Sequence, residues 1–409
     1  MMRASALLSE RRRLGSARWI PHSDKSDDGV PLPVPDLQKG SILLLMSSIS
    51  LVAGAAPPHV ETIAAWPVDS VALAARPVGR VERRPGEPGW RYQWPGTYFE
   101  ARFIGAAVYV DLGSGEKHAR VSVDSREVAD VLRPGMRMLR VQGLAPGEHR
   151  VRVDIVSESR DGVQGFGGFA VPEHADALTP VARPRAIEFI GDSYTVGYGA
   201  ASHGRACSDD DVWRTTDNAL AFGPQVARRF GADYRVVALS GRGMVRNFSN
   251  VAGDTLPAAY ARRLPNDAAA VQVSDDPDWT PQLIVIGLGT NDFSTPVAAG
   301  EPWKDAGALS AAFEARYVDF VQSLHGRHPA ARFLLLASDA GDGAAERAIR
   351  RVHARLVAKG VAVAQVFALG KLALESCNWH PSRDDHETIA RRLVVAIEAL
   401  LPDWRQAAD

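Results

Sequence analysis

The stretch AIEFIGDSYTVGYGA, from Ala186 to Ala200, decides which fold and which chemistry the rest of the sequence has to support. It begins as an apolar run typical of a buried strand, and it breaks at Gly191 into small polar residues around Ser193. One interpretation is a strand-to-helix turn with a helix cap, because Asp and Ser both cap helices well. The other is a nucleophile at the carboxyl end of a sheet strand. The turn alone does not decide between them, so a base and an oxyanion hole have to be found elsewhere.

Three further apolar runs follow this stretch, and helical patterns separate them. The runs YRVVALSG, PQLIVIGLG and RFLLLAS are typical of strands buried on both faces. The helical patterns are NALAFGPQVARRFG, LSAAFEARYVDFVQSLHG, AAERAIRRVHARLVAKG and HETIARRLVVAIEALL. Alternating strands and helices predict a parallel sheet between two layers of helices, which is a three-layer α/β domain over residues 184–409.

Residues 59–178 have a different pattern, with a period of two. YFEARFIGAAVYVDLG, ARVSVDS, MLRVQGL and HRVRVDIVSE alternate apolar and polar residues, and no helical stretch comes between them. This pattern predicts an antiparallel β-sandwich of the jelly-roll-like kind. The segment from Val171 to Arg185 contains three prolines and is the predicted linker between the two domains.

The composition agrees with two globular domains and excludes some partners. The chain has 409 residues, of which 46% are hydrophobic and 23% charged, enough to bury a sizeable core. Its formal net charge is −1, so it has no general attraction for nucleic acid or for anionic membranes. The oligomeric state does not follow from the sequence.

Residues 1–58 are predicted to be a leader rather than part of the fold. Residues 1–40 are polar and aperiodic, and SILLLMSSISLVAGAA follows from Ser41 to Ala56. Its apolar run is too short to span a bilayer, and it follows Lys39 and ends in a small-residue motif, as a secretory signal peptide does. The sequence therefore predicts a secreted or periplasmic protein with no membrane segment in its mature form.

The chain has two cysteines, Cys207 and Cys377. In an exported protein such a pair favours a disulfide, but two unlinked buried thiols fit the sequence equally well. Two cysteines cannot build a structural zinc site, and no H-E-x-x-H motif occurs. We therefore expect no metal and no cofactor.

Polar residues that could do chemistry follow the predicted strands. Ser193 follows the first strand, SGRG the second from Ser240 and GLGTND the third from Gly287, while CNWHPSRDDH places His380 just before the last helix. Each motif alone is typical of a turn or a helix cap. Sites in parallel sheets form beyond the carboxyl ends of the strands, where these residues would meet.

Acyl transfer needs the set of groups that these segments offer. It requires a nucleophile, a base that removes its proton, and donors where negative charge develops. Ser193, His380 and the pair Gly241 and Asn291 can fill those roles.

The four segments GDSYTVGYG, SGRG, GLGTND and WHP resemble the four blocks of the SGNH (GDSL-type) hydrolases, over about residues 186–409. With the preceding β domain, the sequence is similar to carbohydrate esterase family 2, whose members remove acetyl groups from plant cell-wall polysaccharides such as xylan. The resemblance implies a secreted carbohydrate O-acetyl esterase that acts on acetylated polysaccharide or oligosaccharide. Two alternatives stay open: a broader lipase or acylhydrolase on the same machinery, and a carbohydrate-binding protein with a degenerate site.

The resemblance also implies roles for single residues. Ser193 would be the nucleophile, and its N–H, the N–H of Gly241 and the side-chain amide of Asn291 would form the oxyanion hole. His380 would act first as general base and then as acid.

The last block departs from the family pattern. Most SGNH enzymes have Asp three residues before the histidine, where this chain has Cys377, and some relatives have it two residues before, at Asn378. No local carboxylate can therefore orient His380, and we predict a Ser–His dyad. The side-chain oxygen of Asn378 or a backbone carbonyl, such as that of Trp379, would accept the Nδ1 proton. A disulfide between the two cysteines would hold the histidine loop if both loops border one cleft.

The remaining residues near these motifs have less specific predictions. Asp192 and Asp292 are expected to stabilise their turns, and His386 to pack or hydrogen-bond inside the last helix. Aromatic side chains can stack on sugar rings or pack in the core, and the candidates are Trp213, Trp303 and Trp379.

Overall fold

The computed structural model describes residues 57–159, 162–267, 276–361 and 364–405. The predicted signal peptide and nearly all of the predicted leader lie outside these residues. Within them, no helix combines the length and the apolar character that crossing a membrane requires.

The N-terminal part of the described chain is built from antiparallel strands in two main sheets. One contains β1 (His59–Ile63), β2 (Ser70–Ala72), β7 (Ala107–Asp111), β10 (Met138–Gln142) and β13 (Gly168–Pro172), in the order β1-β10-β7-β13-β2. The other contains β3 (Arg76–Val78), β6 (Tyr98–Ile104), β8 (His118–Val123), β9 (Arg126–Leu132), β11 (Glu148–Ile155) and β14 (Asp176–Leu178). Its order is β14-β6-β11-β8-β9, and β3 also pairs with β6. A small third sheet holds β4 (Val81–Glu82), β5 (Trp90–Tyr92) and β12 (Gln164–Phe166).

Alternation along the strands creates the core between the two main sheets. In β11, Val151, Val153 and Ile155 are buried while the residues between them are more exposed, because successive side chains of a strand point to opposite faces. The predicted linker is partly strand, since it contains the end of β13 and all of β14. Asp176–Leu178 pair with β6, so that half of the linker belongs to the sandwich.

The C-terminal part is a parallel sheet covered by helices on both faces. Its strands are β15 (Arg185–Gly191), β16 (Ala232–Ala238), β17 (Leu283–Gly287), β18 (Arg332–Ala337) and β19 (Ala364–Ala368), in the order β16-β15-β17-β18-β19. Of these five strands, β19 is the one not predicted from the sequence. The helices are α1 (Ser193–Val196), α2 (Asp209–Thr215), α3 (Phe222–Arg229), α4 (Leu256–Ala259), α5 (Thr290–Phe293), α6 (Ala306–Arg327), α7 (Ala340–Ala358) and α8 (Arg383–Leu400).

One core lies on each face of this sheet. Helices α6 and α7 pack on one face and α3 and α8 on the other. The predicted architecture, an antiparallel β-sandwich followed by a three-layer α/β domain with a parallel sheet, is confirmed.

The two domains share their cores and a cluster of charges. Trp94 of the β domain packs in the α6–α7 core, and Tyr98 in the α3–α8 core. At the same boundary, Asp233 of β16 accepts hydrogen bonds from Tyr98 Oη and Arg183 Nη1, each at 2.7 Å, and pairs with Arg76. Burial alone would raise the pKa of Asp233, but the hydrogen bonds from these three residues outweigh it and lower that pKa. The carboxylate therefore joins the domains as a buried ion.

Replacing this carboxylate should destabilise the whole molecule. We expect Asp233→Asn to lower the free energy of unfolding by about 3–5 kcal/mol. The substitution removes a negative charge that pairs with Arg76 and Arg183 at the domain boundary, and both arginines keep their positive charges. Urea denaturation followed by fluorescence measures the change. Asp69→Asn, at an exposed turn, is the control and should change the value by less than about 0.5 kcal/mol. An Asp233→Asn variant as stable as the control would show that the cluster does not hold the domains together.

Candidate active site

Ser193 lies where β15 ends and α1 begins. The turn is tight: a Cβ at Gly191 would collide with Thr195 Oγ1, so only glycine fits there. Asp192 is the N-cap of α1 and accepts a hydrogen bond from the backbone N–H of Tyr194 at 3.1 Å. The turn is thus a capped helix start, as one interpretation of this stretch expects, and it places Ser193 just beyond the strand end, where the other interpretation requires a nucleophile to lie.

His380 meets Ser193 across 187 residues of chain. Its Nε2 is 2.8 Å from Ser193 Oγ, and its Nδ1 is 2.9 Å from the carbonyl oxygen of Cys377 and 3.1 Å from that of Asn378. Carbonyl oxygens only accept hydrogen bonds, so Nδ1 carries the proton and Nε2 is free to accept one from the serine hydroxyl. Burial lowers the pKa of His380, although its two carbonyl partners act in the opposite direction.

The group that orients His380 differs in detail from the expected one. The side chain of Asn378 does not accept the Nδ1 proton, because its amide donates to Tyr198 Oη at 3.0 Å. The carbonyl of Trp379 is not the partner either. Asn378 and Trp379 have φ values of 52° and 56°, and this left-handed turn directs the preceding carbonyls, of Cys377 and Asn378, to the ring. The Tyr198 ring packs on the imidazole with 4.2 Å between ring centroids.

Several bonds hold the histidine loop in place. The structure contains the disulfide between Cys207 and Cys377, with 5.4 Å between their Cα atoms, and so resolves the two alternatives that the sequence leaves open. The neighbouring Ser376 donates a hydrogen bond to the carbonyl of Gly199 at 2.8 Å. A Cβ at Gly199 would lie 2.6 Å from Cys377 Cβ, so the two loops pack too closely for any other residue there. The loop before His380 is thereby fixed to the segment after Ser193.

The candidate oxyanion donors lie beside Ser193. Gly241 follows β16 with a φ of 79°, and Asn291 lies in α5. Asn291 Nδ2 donates to the carbonyl of Arg242 at 2.9 Å and to Asp192 Oδ2 at 3.3 Å. Asp192 therefore orients the amide of Asn291 as well as capping α1. Burial raises the pKa of Asp192 to about 7.

Asp292 holds the loop that carries Gly241. Its carboxylate accepts hydrogen bonds from the backbone N–H groups of Met244, Val245 and Arg246 at 2.8–2.9 Å. Burial raises the pKa of Asp292 to about 6, while these bonds act to lower it. The Asp292 carboxylate therefore forms its hydrogen bonds inside the fold, as expected for a structural residue.

These groups open into one cavity of about 720 Å³. Both domains contribute to it, and its lining includes Ser193, His380, Gly241, Asn291, Asn378, Trp379, Tyr198, Phe248, Ser240 and Glu158. Trp379 is 63% exposed and Phe248 49%, which is unusual for large apolar side chains. Sequence reasoning missed Tyr198, Phe248 and Glu158. Tyr198 lies within the first motif and could have been found there, but no sequence signal marks the other two.

Two candidate substrate contacts, and one histidine predicted to be structural, lie outside this cavity. Trp213 packs beneath the guanidinium of Arg133, 4.1 Å from its ring, and Trp303 packs against the α6–α7 core, so neither lines the cavity. His386 is fully buried in α8, and neither ring nitrogen has a partner among the described residues. It is therefore packed rather than hydrogen-bonded, and burial lowers its pKa to about 4. No group of three potential metal ligands occurs in the described ranges.

Comparisons with known proteins agree with this architecture. The family described as Carbohydrate esterase 2 N-terminal matches residues 77–180, and the GDSL-like Lipase/Acylhydrolase family matches residues 189–393. An acetylxylan esterase / glucomannan deacetylase of Cellvibrio japonicus is 37% identical over 326 residues, which are 79% of this chain and 90% of that protein.

Solved structures give the same result. A carbohydrate esterase whose active site displays divergent catalytic and non-catalytic binding functions matches with a TM-score of 0.76 and 34% identity, over 82% of this chain and all of that one. A family 2 carbohydrate esterase of Corynascus thermopiles, solved with a carbohydrate-binding domain, matches with a TM-score of 0.67 and 29% identity, over 80% of this chain and all of that one. The resemblance inferred from the four motifs is confirmed. The chain is a carboxylic ester hydrolase of the GDSL type and belongs to carbohydrate esterase family 2.

Proposed function

We propose that this enzyme removes acetyl groups from xylan or a related plant polysaccharide, with Ser193 and His380 as its catalytic dyad. The observation that carries the proposal is the 2.8 Å hydrogen bond between His380 Nε2 and Ser193 Oγ inside a cavity that both domains line. A serine hydroxyl at neutral pH is a weak nucleophile until a neighbouring base takes its proton.

The first half of the reaction forms an acetyl-enzyme. His380 Nε2 takes the hydroxyl proton as Ser193 Oγ attacks the acetyl carbonyl carbon, and the carbonyl π electrons move to its oxygen. When the tetrahedral intermediate collapses, the sugar oxygen leaves with its bond electrons and receives the proton from His380. The products are a free sugar hydroxyl and acetyl-Ser193.

Backbone and side-chain donors would stabilise the negative oxygen of that intermediate. Ser193 is the first residue of α1, where an N–H has no acceptor within the helix. The N–H of Gly241 and the amide of Asn291 complete the set. Asn291 Nδ2 already donates twice, and its 3.3 Å contact with Asp192 is the longer one. The oxyanion would therefore take that hydrogen.

The second half returns the enzyme to its starting state. His380 removes a proton from water, the hydroxyl oxygen attacks the acetyl carbonyl, and Ser193 leaves and regains its proton. Acetate is released. His380 becomes positively charged at two points of this cycle, and carbonyl dipoles rather than a carboxylate face its other nitrogen.

The cavity lining favours a sugar over a long acyl chain. Trp379 and Phe248 expose apolar rings on which a sugar face can stack, and the lining of the same cavity also contains polar groups such as Glu158, Ser240 and Asn378. A long hydrocarbon chain would leave those polar groups desolvated without partners, which is costly. The Cellvibrio japonicus relative, an acetylxylan esterase / glucomannan deacetylase, supports the same substrate class.

The substrate class is tested by comparing esters. We expect wild type to release acetate from acetylated xylan and from 4-nitrophenyl acetate, but to cleave long-chain 4-nitrophenyl esters slowly. Ser193→Ala should lower kcat at least about 10⁴-fold, because the nucleophile is lost, while Ser323→Ala, an exposed serine of α6, should leave it unchanged. Faster turnover of long-chain esters would point to a lipase. Binding of xylan without any hydrolysis would point to a degenerate site.

The pH dependence should report the burial of His380. Its pKa is lowered from 6.5, and only the neutral ring can accept the serine proton. We expect the fall of kcat/KM on the acid side to have its midpoint below pH 6.5, because activity is lost as the ring becomes protonated and burial lowers its pKa. The pH profile with 4-nitrophenyl acetate measures this. A fall centred near pH 7 would contradict the assignment and would point to Asp192, whose pKa is about 7 and which orients Asn291.

We also propose that the chain is exported, since a disulfide persists in oxidising compartments. Enzyme recovered from the medium or periplasm should then contain no titratable thiol. The double variant Cys207→Ala/Cys377→Ala should lose about 2–5 kcal/mol of stability, because the bond closes a loop of 170 residues, and about 10-fold in kcat, because the histidine loop loosens. Thermal unfolding and the ester assay measure both. Free thiols in the native protein would contradict the proposal.

A further inference from the structure

The wall of the cavity nearest the β domain contains a pair of polar groups to which the reaction gives no role. We propose that Glu158 and Ser240 form a hydroxyl-binding subsite, which receives a free hydroxyl of the sugar next to the ester that Ser193 attacks. The inference rests on the proposed function, because it requires a sugar ester as substrate.

Glu158 is a rigid part of the cavity wall. It follows β11, and the residues just before it are fixed on both sides. The carbonyl of Val156 accepts a hydrogen bond from the N–H of Asn218 at 2.8 Å, and Ser157 Oγ accepts one from the N–H of His118 at 2.9 Å. One carboxylate oxygen of Glu158, Oε1, then accepts a hydrogen bond from the N–H of Ser240 at 2.7 Å. The carboxylate is thus held beside the strand end that carries Gly241.

The other polar atoms of this pair, Glu158 Oε2 and Ser240 Oγ, have no hydrogen-bond partner within the described protein. Glu158 is only 7% exposed, yet its Oε2 makes no hydrogen bond, and neither does the buried hydroxyl of Ser240 beside it. Buried polar atoms are nearly always hydrogen-bonded, so two neighbouring exceptions on one cavity wall need an explanation. Both residues line the cavity that contains Ser193 and His380. A bound group that reaches this wall would satisfy both atoms.

The two atoms define the chemistry of that group. A carboxylate oxygen only accepts hydrogen bonds, whereas a serine hydroxyl can donate one. The complementary group both donates and accepts, as a sugar hydroxyl does: it would donate to Glu158 Oε2 and accept from Ser240 Oγ. An acetylated sugar oxygen has no hydrogen to donate. The subsite therefore selects substrates in which the position that reaches this wall is not acetylated.

The experiment compares three substrates: mono-O-acetylated xylobiose, fully O-acetylated xylobiose and 4-nitrophenyl acetate. Wild type should have at least about 10-fold higher kcat/KM for the mono-acetylated than for the fully acetylated sugar, since sites built around a substrate hydroxyl reject analogues that lack it. Glu158→Gln keeps an oxygen for the Ser240 N–H but replaces an acceptor with a donor. It should lower kcat/KM for mono-acetylated xylobiose by about 10–100-fold, the range for hydrogen bonds to charged groups.

Two further variants complete the design. Ser240→Ala keeps the backbone bond to Glu158 and removes only the hydroxyl, so we expect about a 2–10-fold loss on the mono-acetylated sugar. Glu148→Gln removes another carboxylate of the β domain, paired with Arg102 at the surface, and should change none of the rates. The losses for Glu158→Gln and Ser240→Ala should be several-fold larger on mono-acetylated xylobiose than on 4-nitrophenyl acetate, because the latter ester has no hydroxyl to bind.

Three results would overturn the subsite. Equal losses on 4-nitrophenyl acetate and on the sugar would mean that Glu158 only positions the loop of Gly241. An unchanged rate of Glu158→Gln on mono-acetylated xylobiose would mean that no hydroxyl binds there. Wild type that cleaves 4-nitrophenyl acetate but not acetylated xylobiose would reject the proposed substrate, and the subsite with it, whereas the first two results would leave that substrate standing.

Discussion

The hydrogen bond between His380 and Ser193 is the interaction on which the site depends, and it is too weak to create its own geometry. A neutral hydrogen bond contributes only about 0.5–1.5 kcal/mol net, whereas fixing the backbone of each loop residue costs about 1–2 kcal/mol. Other contacts must therefore hold the histidine loop. The disulfide at Cys377 and the bond from Ser376 to Gly199 fix its first residues. Asp385 fixes the segment before them by accepting from two backbone N–H groups at 2.8 and 3.0 Å.

Backbone carbonyls in place of a carboxylate change the electrostatics of His380, the proposed base. Two carbonyl dipoles fix the tautomer of His380 by accepting its Nδ1 proton, but they stabilise the imidazolium less than a full negative charge would. In return, no second ion has to be buried beside the ring, and burying an ion without a partner is expensive. Burial is then the largest influence on His380, and its pKa is lowered. His380 therefore stays neutral at neutral pH, as the proposed proton removal from Ser193 requires.

The β domain belongs to the same structural unit as the site. Domains joined by small polar interfaces usually move against each other, whereas large apolar interfaces prevent such motion. Here Trp94 and Tyr98 pack inside the cores of the α/β domain, and Asp233 binds side chains from across the boundary. The hydrogen bond from the N–H of Ser240 to Glu158 also fixes the end of β16, which lies next to Ser193, to the β domain. The β domain therefore forms part of the cavity wall in a fixed position.

The sequence predicts the elements of this protein better than it predicts their contacts. Period-two alternation and apolar runs follow directly from which faces are buried, so the sandwich and four parallel strands could be predicted. The fifth, Ala364–Ala368, is a short edge strand inside the mostly apolar stretch VAVAQVFAL, which begins at Val361, so its pattern could have been recognised as well. The carbonyls that orient His380 depend on left-handed backbone at Asn378 and Trp379, which residue type does not specify. Glu158 contacts a residue 82 positions away, and no local pattern encodes such a contact. A functional role that depends on side-chain type can therefore be predicted from the sequence. A role that depends on backbone geometry or on the packing of two domains can be found only from the folded structure.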